Sequence, residues 1–188
     1  MIPRPADCFA LMSQYEMLDN IRDHSLVVAR VAEFISLGLK GKGIHLDLDL
    51  VVSGALLHDI GKTACLHTDR NHALLGADIC RRHGFEEIAD LVAQHVILDD
   101  DLPPRPDDAR QIVYYADKRV NHDQIVSLAE RLAYIIERYG QNDAMRCQAI
   151  RDNFSRSFAI ERVIFSHLPQ EPEDLAGFLP EQGNFEFK

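Results

Sequence analysis

Four cysteines, Cys8, Cys65, Cys80 and Cys147, lie far apart in the 188-residue chain and form no C-x-x-C pair. That spacing speaks against a thiolate zinc site or a disulfide framework, and scattered reduced thiols suit a cytosol. No apolar run reaches the roughly 18–20 residues that a membrane span needs. The opening segment MIPRPADCFALMSQ lacks the basic-then-apolar order of a secretory signal, so a cytoplasmic protein is expected. Positive charge is also short. Twenty Lys and Arg against 30 Asp and Glu leave a net charge of −10. This weighs against a nucleic-acid polymer or an anionic membrane as partner. A small phosphorylated molecule stays open, because a few cations can dominate one cleft. Strand-like alternation, internal repeats and low-complexity tracts are absent from the sequence pattern as well.

What is present is helical periodicity. With 46% apolar and 27% charged residues, the chain has enough material for one ordinary core. Helices are expected over residues 8–15, 19–38, 47–60, 70–83, 86–98, 107–121, 123–139 and 141–167. The segment DDDLPPRP must be a loop, since its prolines cannot continue a helix. The fold class is therefore all-α, a single bundle of about seven to nine helices over residues 1–168. A tail over 169–188 is expected to pack on this domain or extend from it. The apolar face of the last long helix can complete the core or form a homodimer interface.

Nine histidines are many for this length, and their placement matters more than their number. By the i, i+3, i+4, i+7 rule, His24 shares a stripe with Val27, Val28, Val31 and Ile35. His58 aligns with Val51, Gly54 and Ala55, and Asp59 with Val52, Ala55 and Leu56. His72 precedes Leu75, Gly76 and Ile79. His95 follows Ile88, Leu91 and Val92, and Asp117 follows Val113 and Tyr114. Each polar residue thus falls on the apolar face of a helix, and five helices are involved. Taken singly, such a histidine is usually a hydrogen-bonded core residue. Six together are harder to explain, because a buried carboxylate without a partner is costly or becomes neutral. Convergence on metal resolves the difficulty. His24, His58, Asp59 and Asp117 can hold one ion, His72 and His95 a second, and the two oxygens of Asp59 can serve both. Mixed histidine and carboxylate ligands suit Fe, Mn, Co, Ni or Zn. Two such ions, at about 3.5–4 Å from each other, suit in-line attack of water on a phosphate.

These residues carry a resemblance. His24 in IRDHSLVVARVAEFI, the pair His58-Asp59 in GALLHDIGK and Asp117 in IVYYADKRV resemble the signature of the HD-domain metal-dependent phosphohydrolases. The HDIGK form matches letter for letter at residues 58–62, and the likeness runs over residues 20–139. It implies an all-α fold, a divalent metal and hydrolysis of phosphoesters or phosphoanhydrides. His72 in NHALLGADIC and His95 in LVAQHVIL are similar in position to the extra ligands of the dinuclear branch, which includes bacterial diadenosine tetraphosphate hydrolases. Two divalent ions per chain and a nucleotide-like substrate are the resulting expectation. The Gly-Tyr-Pro element of the cyclic-di-GMP phosphodiesterases is not seen.

The expected catalytic residues are Asp59 and Lys62. Lys62 follows Asp59 by three positions and can reach a phosphate oxygen if the helical turn persists. It can also simply complement the helix dipole. Lys118, Arg105 and His67 are further candidates for substrate contact. Arg105 sits in a loop long enough to cover a pocket. For Lys118, Arg119, Arg81, Arg82 and Arg105 a solvated surface position is the plainer account. Gly61 is expected to supply a backbone turn that exposes the His-Asp pair. Tyr114 and Tyr115 are expected to pack, with base stacking as the alternative. Three other functions remain: a mononuclear monophosphatase using only His24, His58, Asp59 and Asp117, an oxidative di-iron centre, and a non-catalytic sensor of nucleotide or metal.

Overall fold

In the computed structural model, residues 1–99 and 102–178 are described. The architecture is all-α. In chain order the elements are α1 (Pro5–Gln14), α2 (Asp19–Gly41), α3 (Leu48–Leu57), α4 (Lys62–Cys65), α5 (His72–Arg82), α6 (Glu86–Gln94) and α7 (Ala109–Lys118). A small antiparallel hairpin follows, β1 (Val120–Asn121) against β2 (Gln124–Ile125), with Val120 opposite Ile125. Then come α8 (Leu128–Tyr139), α9 (Ala144–Phe165), a 3-10 turn (Pro172–Asp174) and α10 (Leu175–Phe178).

The helix starts are set by short polar side chains. Asp47 accepts from the Leu50 amide at the head of α3, Asn71 from Ala73 and Leu74 at the head of α5, and Asp108 from Arg110 at the head of α7. Such caps satisfy amides that have no partner in the helix. The Asn71 cap makes His72 the first residue of α5. Ser127 and Glu130 form a reciprocal capping box that starts α8.

Helix α2 lies against α3 and α7, α3 also meets α6 and α7, and α5 pairs with α6. Val28, Val31, Ile35, Val51, Leu56, Leu57, Ile88, Val92, Ile112 and Val113 meet at the centre with almost no exposure. The apolar face of α9 enters this core through Phe154, Ile160, Ile164 and Phe165. Close helix approach depends on small residues. A Cβ on Gly54 would strike Leu91 of α6, and one on Gly76 would lie 2.8 Å from Cγ1 of Val92.

Three expectations change and one, the packing of Tyr114 and Tyr115, holds. The segment 47–60 is not helical to its end, because α3 stops at Leu57 and the His-Asp pair forms the turn after it. The hairpin replaces an expected helix junction, since two-residue strands are too short to show alternation. Gly61 has φ −83°, a conformation open to any residue. Its lack of a side chain is needed because α5 lies against it: a Cβ would strike the carbonyl of His72 and sit 2.7 Å from the Gly76 nitrogen. Tyr114 and Tyr115 are fully buried, bonded through their hydroxyls to Asn153 and Glu161, and take no part in a stacking surface. Asp100 and Asp101 of the acidic loop and residues 179–188 of the tail lie outside the described residues. The described part of the tail turns back on the domain and buries Leu175. No described helix is long and apolar enough to cross a membrane.

Candidate metal centre

Six side chains from four helices and the turn after α3 converge. His24 comes from the first turns of α2, His58 and Asp59 from the turn after α3, His72 from the start of α5, His95 from the end of α6 and Asp117 from the end of α7. The imidazoles stand edge to face in a row. Ring centroids are 5.3 Å apart from His24 to His58, 5.0 Å from His58 to His95 and 5.1 Å from His95 to His72.

Asp59 sits in the middle and divides the row. Its Oδ2 lies 3.4 Å from His58 Nε2 and 3.9 Å from His24 Nε2. Its Oδ1 lies 3.3 Å from His72 Nε2 and 3.6 Å from His95 Nε2. One carboxylate thus presents a different oxygen to each histidine pair. Two ligand groups result, His24–His58–Asp59 and Asp59–His72–His95, each with all its ligand atoms within 4.8 Å of one another. Asp117 adds Oδ1 to the first group, 3.1 Å from His24 Nε2 and 3.6 Å from His58 Nε2.

The far side of each ring is held. His58 Nδ1 donates to the Ala55 carbonyl at 2.7 Å, His95 Nδ1 to that of Val92 at 2.7 Å, and His24 Nδ1 to that of His122 at 2.8 Å. A carbonyl accepts only, so these bonds fix the hydrogen on Nδ1. In the neutral ring this turns the Nε2 lone pair inward. The centre is then a set of lone pairs facing carboxylate oxygens. His58 Nε2 is buried with no hydrogen-bond partner, and His72 Nε2 faces His95 Nε2 at 3.2 Å. Cations are what such a cluster lacks, so these residues fit divalent metal on the chemistry of the donor set alone.

Two lysines flank the carboxylates. Lys62, half-buried in the first turn of α4, donates to Asp59 Oδ2 at 2.7 Å. The turn does persist past Gly61, as a separate one-turn helix. Lys118 is buried, donates to the His95 carbonyl at 2.7 Å and to Asp117 Oδ2 at 3.2 Å, and packs 3.9 Å from the centre of the Tyr114 ring. It is not a solvated surface residue, and its ammonium is engaged by these partners. It holds one oxygen of Asp117, leaving the other for the histidines, and ties α7 to the end of α6.

Charge and burial oppose each other throughout. Burial alone would push His58 down, but Asp59 and Asp117 outweigh it and raise its pKa to about 9. Burial wins at His95, lowering it to about 4 with help from the charge of His58. Burial would raise Asp59 and Asp117, yet His58 and Lys62 hold Asp59 well below the carboxylate range, as Lys118, His24 and His58 hold Asp117. In the metal-free protein His58 therefore keeps a proton at neutral pH, and a metal must displace it. The sign follows. His58 is raised from 6.5 to about 9, so metal affinity rises with pH across that window, by about tenfold per unit, and levels off above it. Calorimetry of Mn²⁺ binding near neutral pH, in buffers of different ionisation enthalpy, is expected to show about one proton released per chain, on filling the His24–His58–Asp59 group. Binding that releases none would contradict the assignment of His58 as a ligand.

The other expected contacts are not brought to the centre. The Arg105 guanidinium is exposed and binds Asp107 at 2.7 Å and 2.9 Å. It lines a separate cleft with His45, Asp47, Glu87 and Arg110. His67 is exposed on the loop after α4, at φ 60°, outside both ligand groups. Arg119, read as solvated, is buried. It donates to the Val126 and Pro172 carbonyls, to Tyr115 Oη and to Glu161. Sequence patterning also missed the His122 carbonyl. The only signal there was the polar turn Asn121-His122-Asp123, with His122 at φ 56°.

The HD domain family matches residues 21–135. This is more than half of the chain, and the chain belongs to that family. An uncharacterized protein of Methanocaldococcus jannaschii is 32% identical over 132 aligned positions, covering 60% of this chain and 77% of that relative. A tRNA (cytidine(56)-2'-O)-methyltransferase of Thermoplasma volcanium is 35% identical over 97 positions, and a ribonuclease Y of Acidothermus cellulolyticus is 36% identical over 77. These two cover 51% and 40% of this chain, but the chain spans only 27% of the methyltransferase and 15% of the ribonuclease. No solved structure gave a significant match.

Proposed function

We propose that the protein is a metal-dependent phosphohydrolase with two divalent ions, acting on a nucleotide or another small phosphorylated molecule. The observation that carries this is the division of Asp59, one oxygen towards His24 and His58 and the other towards His72 and His95. A mononuclear phosphatase or a core of structural histidines gives no reason for that arrangement. Divalent ions held there supply Lewis-acid chemistry, acidifying a water and polarising a phosphoryl oxygen.

The chain's own residues do the rest. Asp59 and Asp117 bring negative charge into a buried site and orient the first histidine pair. The carbonyls of Ala55, Val92 and His122 keep three imidazoles in the tautomer that ligates. Lys62 neutralises Asp59 in the metal-free protein. Its partial exposure lets it turn to a non-bridging phosphate oxygen when other positive charge satisfies Asp59. No protein nucleophile is required.

Likeness to a stretch of ribonuclease Y supports a second reading, a phosphodiester of RNA as substrate. The net charge of −10 favours a small molecule over a polymer. Elemental analysis of protein purified without chelator tests the centre. About two ions per chain are expected, falling to about one in His72→Ala. One ion in both proteins would move the reading to the mononuclear phosphatase. A Mn²⁺-supplemented panel of nucleoside monophosphates, nucleoside polyphosphates and short RNA then separates the substrate classes.

A further inference from the structure

Exposure is uneven within the centre. The side chains of His58, Asp59 and His95 are sealed, whereas those of His72 and Lys62 expose 29% and 36% of their surface. The cluster therefore opens to solvent on the side of Lys62 and His72. In that opening the Lys62 ammonium touches a ligand atom, Asp59 Oδ2, at 2.7 Å. The same ammonium lies close enough to the Tyr139 hydroxyl for charge to act between them, as it does to Asp117. Tyr139, the last residue of α8, thus stands beside a group that itself touches the ligand oxygen.

Tyr139 also differs from the other tyrosines. Tyr15, Tyr114 and Tyr115 bond through their hydroxyls to His83, Asn153 and Glu161, and the Tyr134 ring meets that of His122. Tyr139 has no hydrogen bond and no ring contact among the described residues, and 52% of it is exposed. Its backbone is nevertheless held, because the next amide, that of Gly140, donates to the Ile136 carbonyl at 2.8 Å and closes α8. Ile136, three positions back and half-buried, extends the apolar surface along the same helix face. A lone exposed tyrosine is ordinary on a protein surface. Here it is a flat, unoccupied ring at the open side of a buried cluster, next to the lysine that is placed to take a phosphate oxygen.

Building on the phosphohydrolase reading, we propose that Tyr139 is a substrate-binding residue whose ring stacks on the base of a nucleotide while Lys62 takes an oxygen of its phosphate. The substrate class then narrows to nucleotides, and sugar phosphates or other phosphates without an aromatic ring bind less well. A tyrosine suits this task, because every base has a π-face and an aromatic side chain stacks on it with little loss of side-chain freedom.

The test uses Mn²⁺-loaded wild type, Tyr139→Ala and Tyr139→Phe. Each is titrated calorimetrically with two phosphonates that cannot be hydrolysed, the methylene analogues of adenosine monophosphate and of ribose 5-phosphate. Wild type is expected to bind the adenosine compound about tenfold more tightly than the ribose compound. Tyr139→Ala should lose that preference while keeping its affinity for the ribose compound, its metal content and its melting temperature. Tyr139→Phe should keep the preference, since the ring and not the hydroxyl carries it. Equal binding of both compounds by wild type overturns the proposal, as does an unchanged preference in Tyr139→Ala. A loss in Tyr139→Phe as large as in Tyr139→Ala overturns stacking, and loss of metal along with the preference reduces Tyr139 to a brace for Lys62. Hydrolysis assays on wild type keep the two ideas apart. A base preference that depends on Tyr139, in a wild type that hydrolyses no phosphoester or phosphoanhydride, would overturn the phosphohydrolase reading and leave the base site standing.

Discussion

Asp59→Asn is expected to abolish hydrolysis, lowering kcat/KM by more than about a thousandfold. Asparagine has nearly the same shape but one acceptor oxygen in place of two. Whichever way the amide turns, one of the histidine pairs now flanking Asp59 faces an NH₂ group. That group cannot ligate a cation, and it meets Nε2 atoms that need one. The negative charge is lost as well, and with it the ion pair to Lys62 at 2.7 Å. His58 loses the larger of the two charges that hold its pKa near 9, so its proton leaves at a lower pH. Elemental analysis should find the variant depleted of both ions, with its helical circular dichroism retained. Activity within tenfold of wild type would remove Asp59 from the centre of the mechanism. Retained activity with one ion per chain would show that the second half-site is dispensable.

Gly61→Ala should have the largest effect on stability of any single methyl group added near the site. The added carbon meets backbone, the His72 carbonyl and the Gly76 nitrogen, and neither can rotate away as a side chain would. Helix α5 must move, and α5 carries His72 at its first residue. Overpacking of this kind costs about 1–3 kcal/mol or more. Urea unfolding reads the cost directly. The same displacement draws His72 Nε2 away from Asp59 Oδ1, now 3.3 Å distant, so the variant should also hold less of the second ion. Gly84→Ala makes a useful contrast. Nothing lies within 4 Å of its Cβ position, but its φ is +77°, so it tests backbone strain without moving a ligand. If Gly61→Ala unfolds at the wild-type urea concentration, the tight contact between the two segments is not a constraint.

The sequence made the ligands legible for a physical reason. A polar residue on an apolar helix stripe is conspicuous at single-residue resolution, and His24, Asp59 and His95 each stand out among valines, leucines and isoleucines. Helix position was legible too, because period and caps are local properties. Contacts made at helix ends across the chain were not. Lys118 and Arg119 close α7, where a basic residue ordinarily points to water and complements the dipole. Lys118 is buried against the end of α6 and Asp117, and Arg119 against the hairpin, α9 and the tail, and no local pattern announces either. The His122 carbonyl is invisible for a different reason, since any residue has a carbonyl and only the fold aims it. Arg105 shows the converse limit of local pattern. Loop length suggested reach, but the Arg105 guanidinium is taken up by Asp107, two residues on, and lies in a cleft lined by α6 residues.

His24 and Asp117 lie 93 positions apart in the chain and 3.1 Å apart in the fold. An unfolded chain cannot hold five such distant segments together as one ligand cluster, so an ion that prefers the native state adds its binding free energy to the stability of the whole molecule. The supply of metal then acts on the lifetime of the protein as well as on its chemistry. A cell short of the ion would hold a population that opens more often and is cleared sooner by proteases, so that abundance itself becomes a record of metal status.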